Sequence, residues 1–142
     1  MANNENTTWS KHIQLSNRTS ECNRLFEFLA DSLEQLPVTT EFKHDLKLVS
    51  EELLANIIRH GYDDRSDEVI DVALAVDGTS VRITFTDSAR AFNPLQCKTP
   101  DMPDDLSDGG MGILLVKSLS DEQHYQRHNN HNVFTVTKNY NK

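Results

Sequence analysis

The sequence predicts an α+β fold, a two-layer sandwich in which a mostly antiparallel sheet is covered by helices on one face. Three observations lead there. Two apolar patterns recurring at three and four residues follow one another near the N-terminus, as amphipathic helices require. Two alternating apolar runs then flank Asp77-Gly78, a strong short-range hairpin signal. The full order reads strand, helix, helix, strand, strand, helix, strand, strand, so strands and helices segregate more than they alternate. At 142 residues the chain is long enough for one core and too short for two comfortable ones, so one domain over 1–142, with its core at about 9–138, is expected.

Each element has its own warrant. Residues 1–8 are polar and expected to be loose. Residues 9–15 alternate weakly through Trp9, Lys11, Ile13 and Leu15, which fits a short strand. Residues 16–20 are a polar break rich in helix-capping types. From Glu21 onward, Cys22, Leu25, Phe26, Leu29, Leu33 and Leu36 trace a helix that Pro37 stops. A second helix starts near Thr39 or Thr40, with Phe42, Leu46, Val49, Leu53 and Ile57 as its stripe. It ends at His60-Gly61, where glycine suits a helix C-terminus. Residues 62–67 form a polar loop. Ile70, Val72, Leu74 and Val76 alternate, and so do Val81, Ile83 and Phe85; Thr79 and Ser80 make the connection a residue or two longer than the tightest turn. Residues 93–107 carry three of the four prolines and no periodicity, the mark of a functional loop or lid. Gly109-Gly110-Met111-Gly112 opens a short apolar helix over 113–119. Residues 122–128 and 133–137 form a last strand pair around the polar turn 129–132.

Composition narrows the function. A formal net charge of −8 argues against nucleic acid as a direct partner, because phosphate neutralisation needs a basic surface. No run is long and apolar enough for a membrane-spanning helix and the N-terminus has no signal-peptide core, so a cytoplasmic location without membrane contact is expected. Cys22 and Cys97 lie far apart and read as reduced thiols, neither a disulfide framework nor a metal pair. Asp101, Asp104, Asp105 and Asp108 read as a solvated loop. His124, His128 and His131 could ligate zinc, but their spacing crosses a strand and a turn with no Cys or Asp nearby, and a polar hairpin surface is the reading favoured.

Three features carry chemistry. Glu52 and Asn56, four apart on the second helix, lie about 40° apart around its axis, and His60 continues their line one turn on. At the margin of the apolar stripe they can point into a cleft, the carboxylate as a general base and the amide oxygen as a ligand for Mg²⁺. Asp87 ends a strand beside a loop, where a carboxylate can accept a hydrogen bond from an exocyclic amine such as that of adenine. Gly109-Gly110-Met111-Gly112 precedes a helix, so backbone N–H groups there can approach phosphate. No Lys-Ser/Thr follows, so this is not the Walker pattern. Taken singly, each has a plain alternative: a solvated helix flank, a strand-end turn residue, an ordinary turn.

Taken in order, the three resemble the nucleotide-binding motifs of the superfamily that includes gyrase, the heat-shock chaperone, histidine kinases and mismatch-repair ATPases. Glu52-Leu53-Leu54-Ala55-Asn56 with His60-Gly61-Tyr62 looks like its N box. Asp87-Ser88-Ala89-Arg90-Ala91-Phe92-Asn93-Pro94-Leu95 looks like its first glycine box, and Gly109-Gly110-Met111-Gly112-Ile113 like its second. Within that superfamily the chain resembles the anti-sigma factor serine/threonine-protein kinases, short single domains of histidine kinase-like ATPase type without a phosphoacceptor helix. Ser50-Glu51-Glu52 through Tyr62 reads like their version, as does the tail from Leu119-Ser120-Asp121-Glu122 to Lys138; the similarity spans about 13–138.

The resemblance implies a Bergerat-type ATP-binding fold with ATP and Mg²⁺ as cofactors. It implies Glu52 as the base, Asn56 as the Mg²⁺ ligand and Asp87 as the reader of the adenine amine. Gly110 and Gly112 would line the phosphates under a lid at 96–108, and Ala89, Phe92, Gly109 and Met111 complete the nucleotide-binding set. It implies an antagonist protein phosphorylated on serine, a sigma factor sequestered in another state, and a homodimer. One position departs: the family usually has glycine where Ala89 stands. The added methyl is expected to weaken nucleotide binding, by crowding the adenine or by strain if the backbone there has positive φ. Two functions therefore stand side by side, a kinase and a nucleotide-responsive or nucleotide-free protein-binding regulator without kinase activity. A detached histidine-kinase catalytic domain matches the motifs less well.

Overall fold

A computed structural model describes residues 8–61, 68–96 and 110–140. Strand β1 (Trp9–Ser16) runs into a short 3₁₀ turn (Thr19–Glu21) and helix α1 (Cys22–Leu33). The Glu21 carboxylate fastens this corner: its Oε1 accepts the Ser16 N–H at 2.8 Å and the Arg24 guanidinium at 2.8 Å. The Ser16 bond is the main cause that holds the Glu21 carboxyl below its ordinary range. Helix α1 ends ahead of Pro37, and Leu36, beyond the helix, still packs against the core. Helix α2 (Thr40–Gly61) begins where the Thr39 hydroxyl oxygen accepts the Phe42 N–H at 3.0 Å, an N-cap that satisfies one orphan donor of the first turn.

Strands β2 (Val69–Val76) and β3 (Ser80–Asp87) form the expected hairpin. The Asp77 carboxylate folds the connection by accepting the N–H groups of Thr79 and Ser80 at 2.7 and 2.9 Å. Helix α3 (Gly110–Leu119) is followed by β4 (Glu122–His128) and β5 (His131–Asn139). The last turn is tighter than expected: only Asn129 and Asn130 lie between the strands. Their φ values of 51° and 64° suit a two-residue hairpin, so β5 begins at His131 and not at Val133.

The five strands are antiparallel throughout, in the order β1-β2-β3-β5-β4. Alternation sends Ile70, Val72, Leu74 and Val76, then Val81, Ile83 and Phe85, then Phe134 and Val136 inward. They meet Leu25, Leu29 and Leu33 of α1, Leu46, Val49, Leu53 and Leu54 of α2, and Ile113 and Val116 of α3 in one core. Each such side chain contributes about 1.5–3 kcal/mol by leaving water. Polar rungs close both ends of this apolar face. At one end Lys138, opposite Val81, reaches Asp45 of α2 at 3.4 Å and the Leu119 carbonyl at 2.7 Å. At the other, Asp87 stands directly opposite Asn132, and the functional site is built there.

Several expectations fall outside the described residues: the loop 62–67, Cys97, the acidic cluster Asp101 to Asp108, Gly109, and the lid 96–108 apart from Gln96.

Candidate functional site

Asp87 is the last residue of β3 and faces inward, so strand alternation carries its carboxylate under α2 with only 4% exposure. Its Oδ1 accepts the Ala89 N–H at 3.0 Å and the Asn132 amide at 2.9 Å. Burial pushes the carboxyl above the ordinary aspartate range, while the bonds from Asn132 and Ala89 and the charges of Arg127 and His131 pull against that. Both of these bonds end on Oδ1, which among the described residues leaves Oδ2 as acceptor for a further donor.

Across from it, Asn56 projects from α2 and is 3% exposed. The two residues line one small pocket, with about 30 Å³ of enclosed space. Leu53 and Ile57 of α2, Phe85 and Phe134 of the sheet, and Phe92 and Pro94 after β3 supply its apolar surface; Asn132 and Tyr125 add polar atoms. A small apolar recess with a few converging polar groups and a carboxylate oxygen at its wall offers an acceptor to a donor such as an exocyclic amine. Asn56 Oδ1 accepts the Arg59 guanidinium at 3.2 Å. Guanidinium only donates, so the amide turns its oxygen toward positive charge, which is the donor type a hard cation such as Mg²⁺ takes.

Glu52, one turn earlier on α2, does not line that pocket. It lies in the neighbouring cleft with Gly112, Leu114, Leu115 and Ser118, where α3 crosses α2. Gly112 is buried there, and a Cβ on it would stand 2.2 Å from Glu52 Oε2 and 3.0 Å from Cδ. Only glycine lets the carboxylate come this close to the first turn of α3. Of the residues singled out in the sequence, Asn56, Asp87 and Phe92 thus share one pocket, and Glu52 and Gly112 the cleft beside it. Gly110 and Met111 open α3, and His60 lies in the last turn of α2.

Of the two effects expected of Ala89, backbone strain is absent. Among the described residues, Asn129 and Asn130 are the non-glycine positions with positive φ, so alanine at 89 carries no such strain. Its side chain is 1% exposed and belongs to the core. Its carbonyl accepts the Arg127 guanidinium at 2.7 Å. The sequence reading missed Asn132, Tyr125 and Arg127, which hold this corner together. The signal that finds them is strand register: Asp87 pairs with Asn132, and Asn132 with Arg127. His124, His128 and His131 are exposed; His128 and His131 bond the side chain and carbonyl of Asn129. Among the described residues no three His, Cys, Asp or Glu side chains are grouped to hold a metal ion, and no helix is long and apolar enough to cross a membrane.

Residues 15–138 match the histidine kinase-like ATPase domain family. The serine/threonine-protein kinase BtrW of Bordetella bronchiseptica is 25% identical over 132 residues, covering 91% of this chain and 80% of that protein. An anti-sigma F factor of Clostridium novyi is 30% identical over 101 residues, covering 66% of this chain and 68% of that one. Among solved structures, the RsbU and RsbW domains of a Mycobacterium tuberculosis protein superpose with a TM-score of 0.67 at 19% identity. That match covers 92% of this chain and 32% of the other, and it is a likeness of fold.

Proposed function

This chain belongs to the histidine kinase-like ATPase domain family, in its anti-sigma factor kinase branch; from that premise we propose that it is an ATP-binding regulatory serine/threonine protein kinase that phosphorylates a small antagonist protein, sequesters a sigma factor, or does both. The observation that carries the reading is the convergence of Asn56 and Asp87 on one apolar pocket, with Glu52 against Gly112 beside it.

Each residue then has a task. Asp87 Oδ2 accepts the adenine amine, Phe92 frames the base, and Ala89 serves through its N–H, which holds Asp87 Oδ1. Asn56 Oδ1 is the oxygen offered to Mg²⁺, which takes its remaining ligands from phosphate and water. Backbone N–H groups at Gly109, Gly110, Met111 and Gly112 meet the phosphates at the start of α3, where the helix dipole favours anions. Glu52 accepts the proton of the attacking hydroxyl. Bound MgATP would supply the phosphoryl group, and the protein's share of the chemistry is positioning and charge stabilisation. On this reading the chain is one domain over 1–142 with its core at about 9–138, works in the cytoplasm as a homodimer, and touches no nucleic acid directly.

A regulator that captures partners without phosphorylating them is the second reading, suggested by alanine in place of the usual glycine at 89, although that methyl packs in the core and does not line the pocket. The approach of Glu52 to Gly112 supports the kinase. Labelled MgATP, incubated with the protein and a candidate antagonist that it binds, separates them. Label on a serine or threonine of the antagonist is the expected result. Demonstrated binding of both nucleotide and antagonist with no label leaves the second reading.

A further inference from the structure

Asn132 is 6% exposed, and its amide is bonded at both ends. The nitrogen donates to Asp87 Oδ1 at 2.9 Å and to the carbonyls of Arg90 and Ala89 at 2.9 and 3.5 Å. The oxygen accepts the Phe92 N–H at 3.3 Å and the Tyr125 hydroxyl at 2.5 Å. A backbone N–H only donates and a carboxylate only accepts, so these partners fix which way the amide faces. Asp87, Asn132 and Arg127 form one rung across β3, β5 and β4, and this rung also grips the segment after β3 through the Ala89 carbonyl.

A carboxylate does not by itself choose a base. It accepts equally from the 6-amine of adenine and from the N1–H of a 6-oxopurine, and the direction in which its free oxygen points decides which. We propose that Asn132 is the positioning residue that sets base selectivity in this pocket: together with the Ala89 N–H it pins Oδ1 of Asp87, so that Oδ2 alone, held in one direction, meets the base. This rests on the nucleotide reading above. Without Asn132 the carboxylate turns about its last bond and serves either edge.

The test compares ATP with inosine 5′-triphosphate, altered at position 6 and N1, by calorimetric titration of the full chain. In Asn132→Leu the preference for ATP over the inosine nucleotide should shrink about 10- to 100-fold, the worth of a hydrogen bond to a charged group. Asn132→Asp keeps the size but turns a donor into an acceptor. Its preference should be lost at neutral pH and partly regained in acid, where one proton shared by the two carboxyls restores the donor. Arg127 and His131, whose charges act on Asp87, are common to every variant. Tyr125→Phe keeps the ring and removes one bond to Asn132, and should show a smaller loss in the same direction; it decides the matter if the Asn132 variants do not fold. A residue that merely supports the fold would weaken both nucleotides by one factor, so an unchanged preference in a folded variant overturns the proposal. So does a wild type that binds both nucleotides equally, although nucleotide binding itself then stands. A wild type that binds neither defeats the nucleotide reading instead. In that case the ¹³C shift of the Asp87 carboxyl, followed against pH in the free protein, still tests the pinning. Its pKa should rise further in Asn132→Leu, and an unmoved value overturns the proposal.

Discussion

Replacing Gly112 with alanine isolates the contact between α2 and α3, the two helices proposed to carry the phosphate chemistry. The new methyl would stand 2.2 Å from Glu52 Oε2, so the carboxylate must retreat by about 1.2 Å to reach an ordinary contact of 3.4 Å. The obstacle is the far end of a flexible side chain, and the fold absorbs it cheaply. An off-rotamer Glu52 costs roughly 0.5–1.5 kcal/mol, and alanine for glycine inside α3 returns about 0.8–1.0 kcal/mol of helix propensity. The melting temperature should therefore stay within a few degrees of wild type. Catalysis should not: displacing a reacting group by about 1 Å costs on the order of 10²-fold in rate. Single-turnover transfer of labelled phosphate to an antagonist protein, with far-UV dichroism as the control for folding, reads this out. Glu52→Asp in the Gly112→Ala background shortens the acid by one methylene and should return part of the rate. Transfer at the wild-type rate in a folded Gly112→Ala protein would refute the placement of Glu52 at the reacting centre.

Asn56→Ala removes the only side-chain oxygen assigned to Mg²⁺ here and should weaken ATP binding in magnesium far more than in EDTA, which paired titrations would reveal. Asp87→Asn keeps an oxygen for the Ala89 and Asn132 donors but replaces the free acceptor by a donor, so ATP affinity should fall about 10-fold or more by calorimetry. The same variant has a pH signature. Because the folded pKa of Asp87 is raised, its favourable contribution is present below the ordinary aspartate value and lost as pH rises through the folded one. The stability of Asp87→Asn relative to wild type should thus grow across that window in urea titrations. Lys138→Met strips the polar rung at the far end of the sheet and leaves the mostly buried Asp45 without its partner. It should cost roughly 1–3 kcal/mol in denaturant melts and leave ATP affinity unchanged.

Much of this was legible before any coordinates, for identifiable reasons. Helix α2 announces itself because Phe42, Leu46, Val49 and Leu53 recur at three and four and are all buried. The β2–β3 hairpin shows because Asp77-Gly78 divides two strictly alternating runs. Glu52, Asn56, Asp87 and the glycines were legible as residue types suited to a task. That Asn56 and Asp87 share a pocket while Glu52 sits in the next cleft was not, because tertiary packing decides it. Asn132 was hidden in the polar string Asn129-Asn130-His131-Asn132, which reads as a turn. The positive φ of Asn129 and Asn130 makes the turn two residues long, so Asn132 falls inside β5, opposite Arg127 of β4 and Asp87 of β3. Strand β4 lies at the sheet edge with a mostly exposed, polar sequence, so nothing in its periodicity marked Tyr125 or Arg127.

Titration calorimetry of ATP into the full chain, with and without magnesium, asks whether the pocket between α2 and the sheet binds ATP with Mg²⁺. Saturable binding near one nucleotide per chain is expected, strengthened by Mg²⁺ and much reduced in Asp87→Asn. No binding heat at millimolar ATP from a folded protein, or binding that Asp87→Asn leaves intact, would contradict it.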